Sequence, residues 1–91
     1  MITLEVALTN ARTFLETEFA GHDLVIIRTV ERPIGWGFVY QYRRYLETRN
    51  PDDMLIGPGP LLVLRSDGSV VQLRTFQSLE DEMRDYARSH P

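Results

Sequence analysis

Residues able to do chemistry are few in this 91-residue chain, and their spacing assembles no familiar catalytic pattern. The two histidines, His22 and His90, stand in a turn-like stretch and next to the C-terminus. Neither falls in a Ser/His/Asp arrangement or a metal-ligand spacing, so both read as surface histidines. The adjacent acids Asp52 and Asp53 are hard oxygen donors of the kind calcium takes. A calcium loop, however, needs further oxygens at regular spacing and a glycine for its turn, so a solvated turn is the better reading and no metal is expected. The glycines of Gly57-Pro58-Gly59-Pro60 suggest a phosphate cradle, but such a cradle works through backbone N–H groups and proline has none. That stretch reads as a stiff turn leading into a strand, and no nucleotide or other cofactor is expected. Nothing in the order of the carboxylates points to the paired acids of glycoside chemistry. With no cysteine, thiolate catalysis, disulfides and sulfur-ligated zinc are excluded.

Two groups of residues have the makings of a binding surface. Trp36, Phe38, Tyr40 and Tyr42 alternate along the chain beside Arg43 and Arg44, which could form a stacking platform for single-stranded nucleic acid. A net charge of −3 with one short basic cluster favours a buried core face instead, with Tyr42 at its exposed end. No nucleic-acid partner is therefore expected. The second group is the acidic run Glu80, Asp81, Glu82 and Asp85 beside Arg84 and Arg88. Acids early and arginines late complement a helix dipole, and the same acids could form an anionic patch for a basic partner.

The elements that hold these residues follow from periodicity. Thr3 is a plausible helix N-cap, followed by Leu4, Ala7, Leu8, Ala11, Phe14, Leu15 and Phe19 at spacings of three and four, with Gly21 ending the helix. Residues 24–30, rich in Val, Ile and Thr, predict a strand broken by Glu31-Arg32-Pro33. Residues 35–42 alternate strictly, with the aromatics on one face and Gly37, Val39 and Gln41 on the other, and predict a central strand. Residues 43–60 are the longest non-periodic stretch, a length more often functional than neutral in a compact domain. Residues 61–65 and 69–74 predict two strands joined through Ser66-Asp67-Gly68, where Asp-Gly is a hairpin signal. Ser78, with Asp81 three residues on, caps a last helix whose inner stripe is Leu79, Met83, Tyr86 and Ala87, and Glu80 stands four residues before Arg84 as an exposed pair. The predicted fold is α+β, in the order helix, four-stranded antiparallel sheet, helix (α-β-β-β-β-α), with both helices on one face of the sheet.

Hydrophobic content of 43% and charged content of 25% are those of a globular chain, and residues 1–91 predict one domain. Apolar runs such as residues 24–27 fall far short of the ~20 residues that span a bilayer. Glu5 interrupts the N-terminal stretch and no basic segment precedes it, so no secretory signal or membrane partner is expected and the predicted compartment is the cytoplasm. All ten basic residues are arginine, spread along the whole chain.

Gly35-Trp36, Phe38, Tyr40 and Tyr45-Leu46-Glu47-Thr48 are followed by Leu55 and Gly57-x-Gly59-Pro60. Val63, Gly68-x-Val70, Leu73-x-Thr75 and an acidic helix complete a series that resembles the immunity protein 35, or YrhB-like, family. The resemblance runs from about Pro33 to Tyr86, and the N-terminal helix is compatible with it. Arg49-Asn50-Pro51 departs from the Gly-Asp type of turn expected there, and the last helix is shorter than usual. The residues carrying the resemblance, Trp36, Phe38, Tyr40, Gly57, Gly59, Pro60 and Gly68, read as scaffold.

The resemblance implies a non-catalytic bacterial protein of a polymorphic toxin (toxin–antitoxin) system, neutralising a cognate protein toxin by occlusion. The contact surface expected for it is the 42–53 segment, with Tyr42, Arg43, Tyr45, Asp52 and Asp53, and the acidic helix with Glu80 and Asp81 is the second choice. A monomer or a homodimer through an exposed strand edge are both compatible. The alternative reading is a generic binding, scaffold or chaperone-like module.

Overall fold

A computed structural model describes residues 1–90. The first helix, α1, spans Leu4–Glu18, and the Thr3 hydroxyl accepts from the Val6 amide at 3.3 Å as its N-cap. Strands β1 (Leu24–Arg32) and β2 (Gly35–Tyr42) follow, then a short helix α2 (Arg43–Thr48) and a single 3₁₀ turn at Pro51–Asp53. Strands β3 (Leu61–Leu64) and β4 (Val70–Gln72) precede the last helix, α3 (Leu79–Ser89), which the Ser78 hydroxyl caps by accepting from the Asp81 amide at 3.2 Å. The four strands form one antiparallel sheet in the order β1-β2-β3-β4. Strand β1 continues through Glu31 and Arg32, which pair with Trp36 and Gly35, so the break falls at the turn residues Pro33 and Ile34.

The two long helices lie on opposite faces of the sheet, not on one face as the sequence predicts. Trp36, Phe38 and Tyr40 of β2 and Leu61 and Val63 of β3 pack with Ala7, Ala11 and Leu15 of α1. The intervening positions supply a second apolar face, where Val30, Leu62, Val39, Leu64 and Val71 meet Leu79, Met83 and Tyr86 of α3. Gly37 is the key to that second layer. A Cβ there would lie 2.5 Å from Met83 Sδ and 2.8 Å from Leu79 Cδ1, so the missing side chain lets Met83 and Leu79 of α3 pack directly on the strand. A sheet covered on both faces buries near-continuous apolar runs, and residues 61–63 are all fully buried.

Two local expectations also change. The β3–β4 connection is one residue longer than Ser66-Asp67-Gly68, because Arg65 belongs to it: the Gly68 amide donates to the Leu64 carbonyl at 2.8 Å, the Leu64 amide to the Ser69 carbonyl at 2.9 Å, and within the loop only Gly68 has positive φ. The loop is therefore four residues long, with glycine at its one left-handed position. Glu80 does not pair with Arg84. It pairs with Arg28 across the gap to β1, and Arg84 pairs with Asp81 and Asp85.

Candidate functional site

Residues 42–60, which show no periodicity in sequence, are a braced structure. The chain leaves β2 at Tyr42, whose ring lies 5.6 Å from that of His22. The Arg43 amide donates to the Asp23 carbonyl at 2.9 Å and its guanidinium to the Asp23 carboxylate at 2.8 Å, so α2 is tied to the turn after α1. No side chain caps the start of α2; it ends at Arg49 in left-handed conformation (φ 55°), whose guanidinium lies over the Tyr45 ring. Asn50 caps the 3₁₀ turn by accepting from the Asp52 amide at 3.0 Å. Asp53 then gathers two partners, the Arg44 guanidinium at 3.0 Å and the Thr48 hydroxyl at 2.6 Å, which locks α2 against the turn.

Beyond the turn, residues 54–60 run beside the second half of β2 without joining the ladder. Side chains replace the missing strand pairing. The buried Gln41 amide oxygen accepts from the backbone N–H of Leu55 at 2.6 Å and of Tyr42 at 3.0 Å. The buried Tyr40 hydroxyl donates to the Gly59 carbonyl at 2.8 Å and accepts from the Gln72 amide at 3.1 Å; burial pushes its pKa up. Gly59 is itself closely packed, since a Cβ there would overlap the Leu73 carbonyl. At the other end of the sheet, the Arg65 guanidinium stacks 4.3 Å from the Trp36 ring and donates to Glu31 and to the carbonyls of Arg32 and Pro33.

Of the residues singled out from sequence, Tyr42, Arg43, Asp52 and Asp53 line one open hollow of about 420 Å³ together with His22 and Glu47. Tyr45 is half-buried on α2 and does not line it. Glu80 and Asp81 belong to a different surface, on α3. The Arg28 guanidinium donates to both Glu80 oxygens, which holds that carboxyl below its usual range and raises the arginine in turn. Asp81 lies 3.1 Å from Arg84. Sequence reasoning assigned no contact to Gln41 or Arg65, and it placed Glu82 in the exposed acidic run, whereas the structure buries it. Glu82 is 3% exposed, follows Leu79 by three positions and so falls on the inner face of α3, where Arg74 binds one of its oxygens at 3.2 Å. That spacing was the available signal. Gln41 and Arg65 make contacts that depend on tertiary approach and carry no local signature.

Among the described residues, no group of three His, Cys, Asp or Glu side chains is placed to hold a metal ion, and no helix is long and apolar enough to cross a membrane. What the surface offers is shape, fixed charge and hydrogen-bonding groups on a rigid frame. Comparison with known proteins gives these features a family. A protein of Escherichia coli (strain K12) described as "Uncharacterized protein YrhB" is 30% identical over 88 residues, covering 94% of this chain and 89% of that protein. No solved structure matches. The family model described as immunity protein 35 matches residues 5–85, which takes in all four strands, α2, all of α1 but Leu4, and α3 as far as Asp85, and the chain belongs to the immunity protein 35 family.

Proposed function

We propose that this chain protects its producer by binding a cognate protein toxin and occluding it, acting in the cytoplasm without catalysis or cofactor. The observation that carries this reading is family membership across nearly the whole chain. The braced 42–53 segment supports it physically. Association loses less free energy to ordering when the contacting groups are already held, and here Asp23–Arg43, Arg44–Asp53 and Thr48–Asp53 hold them. Tyr42, Arg43, Tyr45, Asp52 and Asp53 are the proposed contact group, combining aromatic surface with charges of both signs. Glu80 and Asp81 contribute less in this reading, since they stand on α3 and line a different surface from the 42–53 segment.

The test is co-expression with the toxin domain encoded beside the gene, scoring growth rescue and co-purification. Rescue with a stable complex is expected, and alanine at Tyr42 or Asp52 should weaken the complex while leaving the fold intact. A toxin that neither binds nor is inhibited by the folded protein would refute the reading. Broad suppression of client aggregation without toxin-specific protection would replace it with a chaperone-like role.

A further inference from the structure

A second surface lies at the opposite end of the β1–β2 hairpin, where the Pro33–Ile34 turn meets α3. It is a groove of about 540 Å³ with an apolar floor of Pro33, Ile34, Met83 and Ala87. Its rim is charged, and the pairing of those charges decides what fits. Glu80 is satisfied by Arg28, and Asp81 by Arg84. Arg32, at the end of β1, and Arg88, in the last turn of α3, also line the groove, and neither has an ion-pair partner among the described residues. Arg32 donates only to the neighbouring Glu31 carbonyl. Along this groove, Arg32 from β1 and Arg88 from the helix that reads as acidic in sequence therefore place two available guanidiniums over an aliphatic floor.

We propose that this groove docks an acidic segment of the partner protein, with an apolar side chain on Ile34, Met83 and Ala87 and flanking carboxylates on Arg32 and Arg88. The identity of the partner as a toxin rests on the function proposed above; the chemistry of the segment rests on the groove. Guanidinium–carboxylate pairs are bidentate and directional, and an apolar anchor between two of them sets both register and position. The whole chain carries a net charge of −3, and on this acidic background the two unpaired arginines of the groove offer such a segment cationic partners beside an apolar floor.

The experiment follows methyl resonances of isotope-labelled Ile34, Met83 and Ala87 while the full chain is titrated with a short blocked peptide. That peptide carries a Leu-Phe pair between Asp and Glu residues; a second peptide has Lys at the acidic positions. Saturable shifts at these methyls are expected with the acidic peptide only. Affinity should fall at least roughly tenfold in Arg32→Glu/Arg88→Glu, or in the milder Arg32→Gln/Arg88→Gln should the reversal disturb the free protein's spectrum. No saturable shift, equal response to the lysine peptide, or shifts confined to the Met54 and Ile56 methyls beside the 42–53 segment would each overturn the proposal. Because no toxin is present, this failure is separate from a failure of growth rescue, which bears on the immunity reading alone.

Discussion

Replacing Gly59 by alanine should destabilise the protein severely, although the residue is in no helix or strand. The new Cβ would overlap the Leu73 carbonyl oxygen and lie 2.8 Å from its carbonyl carbon, where ordinary contact begins at 3.4 Å. Leu73 must therefore recede by more than half an ångström, and backbone cannot swing aside as a flexible side chain can. Two hydrogen bonds are anchored there: Leu73 amide to Pro60 carbonyl at 2.8 Å, and Tyr40 hydroxyl to Gly59 carbonyl at 2.8 Å. Overpacking costs about 1–3 kcal/mol, and each weakened bond adds about 0.5–1.5 kcal/mol. The total, about 2–6 kcal/mol, is a large part of the roughly 5–15 kcal/mol that holds a small domain together. In thermal unfolding followed by far-ultraviolet circular dichroism, at about 4–8 °C per kcal/mol, this corresponds to a fall in Tm of roughly 10–50 °C. Gly57→Ala is the control: nothing lies within 4 Å of its Cβ and only the positive φ of 111° opposes it, at about 1–2 kcal/mol. A Gly59→Ala protein less than about 1 kcal/mol below wild type, or more stable than Gly57→Ala, would refute the reasoning.

Three further outcomes are expected. Ser78→Ala removes the cap of α3 and should cost about 1 kcal/mol in urea unfolding, with Ser78→Asp retaining most of it. Arg65→Ala loses the stack on Trp36 and three hydrogen-bond acceptors at once, so a loss of about 1–3 kcal/mol is expected together with a change in Trp36 emission; lysine should restore only part of it, lacking the planar fork. The carboxyls of Glu80, Asp67 and Asp85 are all held below their usual range, by the Arg28 guanidinium, the Ser69 amide and the Gln77 amide respectively. Groups with a depressed folded pKa stabilise above the unfolded value and lose that contribution as pH falls through the folded one. Denaturation midpoints should therefore be level near neutrality and drop only in acid, and Glu80→Gln should shallow that drop.

The parts of the fold legible in sequence are those whose cause is local. The spacing from Leu4 to Phe19, the alternation from Trp36 to Tyr42 and the cap at Ser78 each dictate an element through neighbours a few residues away, and the elements form there. The face occupied by α3 is a different matter. Gly37 and Val39 look like the empty side of an aromatic strand, whereas the missing side chain at Gly37 lets Met83 and Leu79 of the helix pack directly on it. The apolar run 61–64 held the signal, since a strand with one wet face alternates and this one does not. Helix α2 left no mark because it lacks a side-chain cap and ends on arginine instead of glycine. Among the candidate site residues, Asp52 and Asp53 were visible as a turn, but Asp53's partners Arg44 and Thr48 emerge only once α2 has formed. Glu80 finds Arg28 from 52 positions away, a choice that no helical spacing encodes.

The way Gln41 holds the returning strand-like segment has a bearing on how such a protein can diversify. Ladder pairing is unforgiving of length, because a one-residue slip turns every side chain to the wrong face. Residues 54–58 escape that rule: the stretch is held at Leu55 by the Gln41 side chain and just beyond its end at Gly59 by the Tyr40 hydroxyl and the Gln72 amide, and the chain between Tyr42 and Leu55 makes no strand pairing at all. That interval behaves as an exchangeable cassette between two fixed clips. On the function proposed above, this interval is where a change of partner is met by a change of length or sequence while β2 and the two helical layers keep their register.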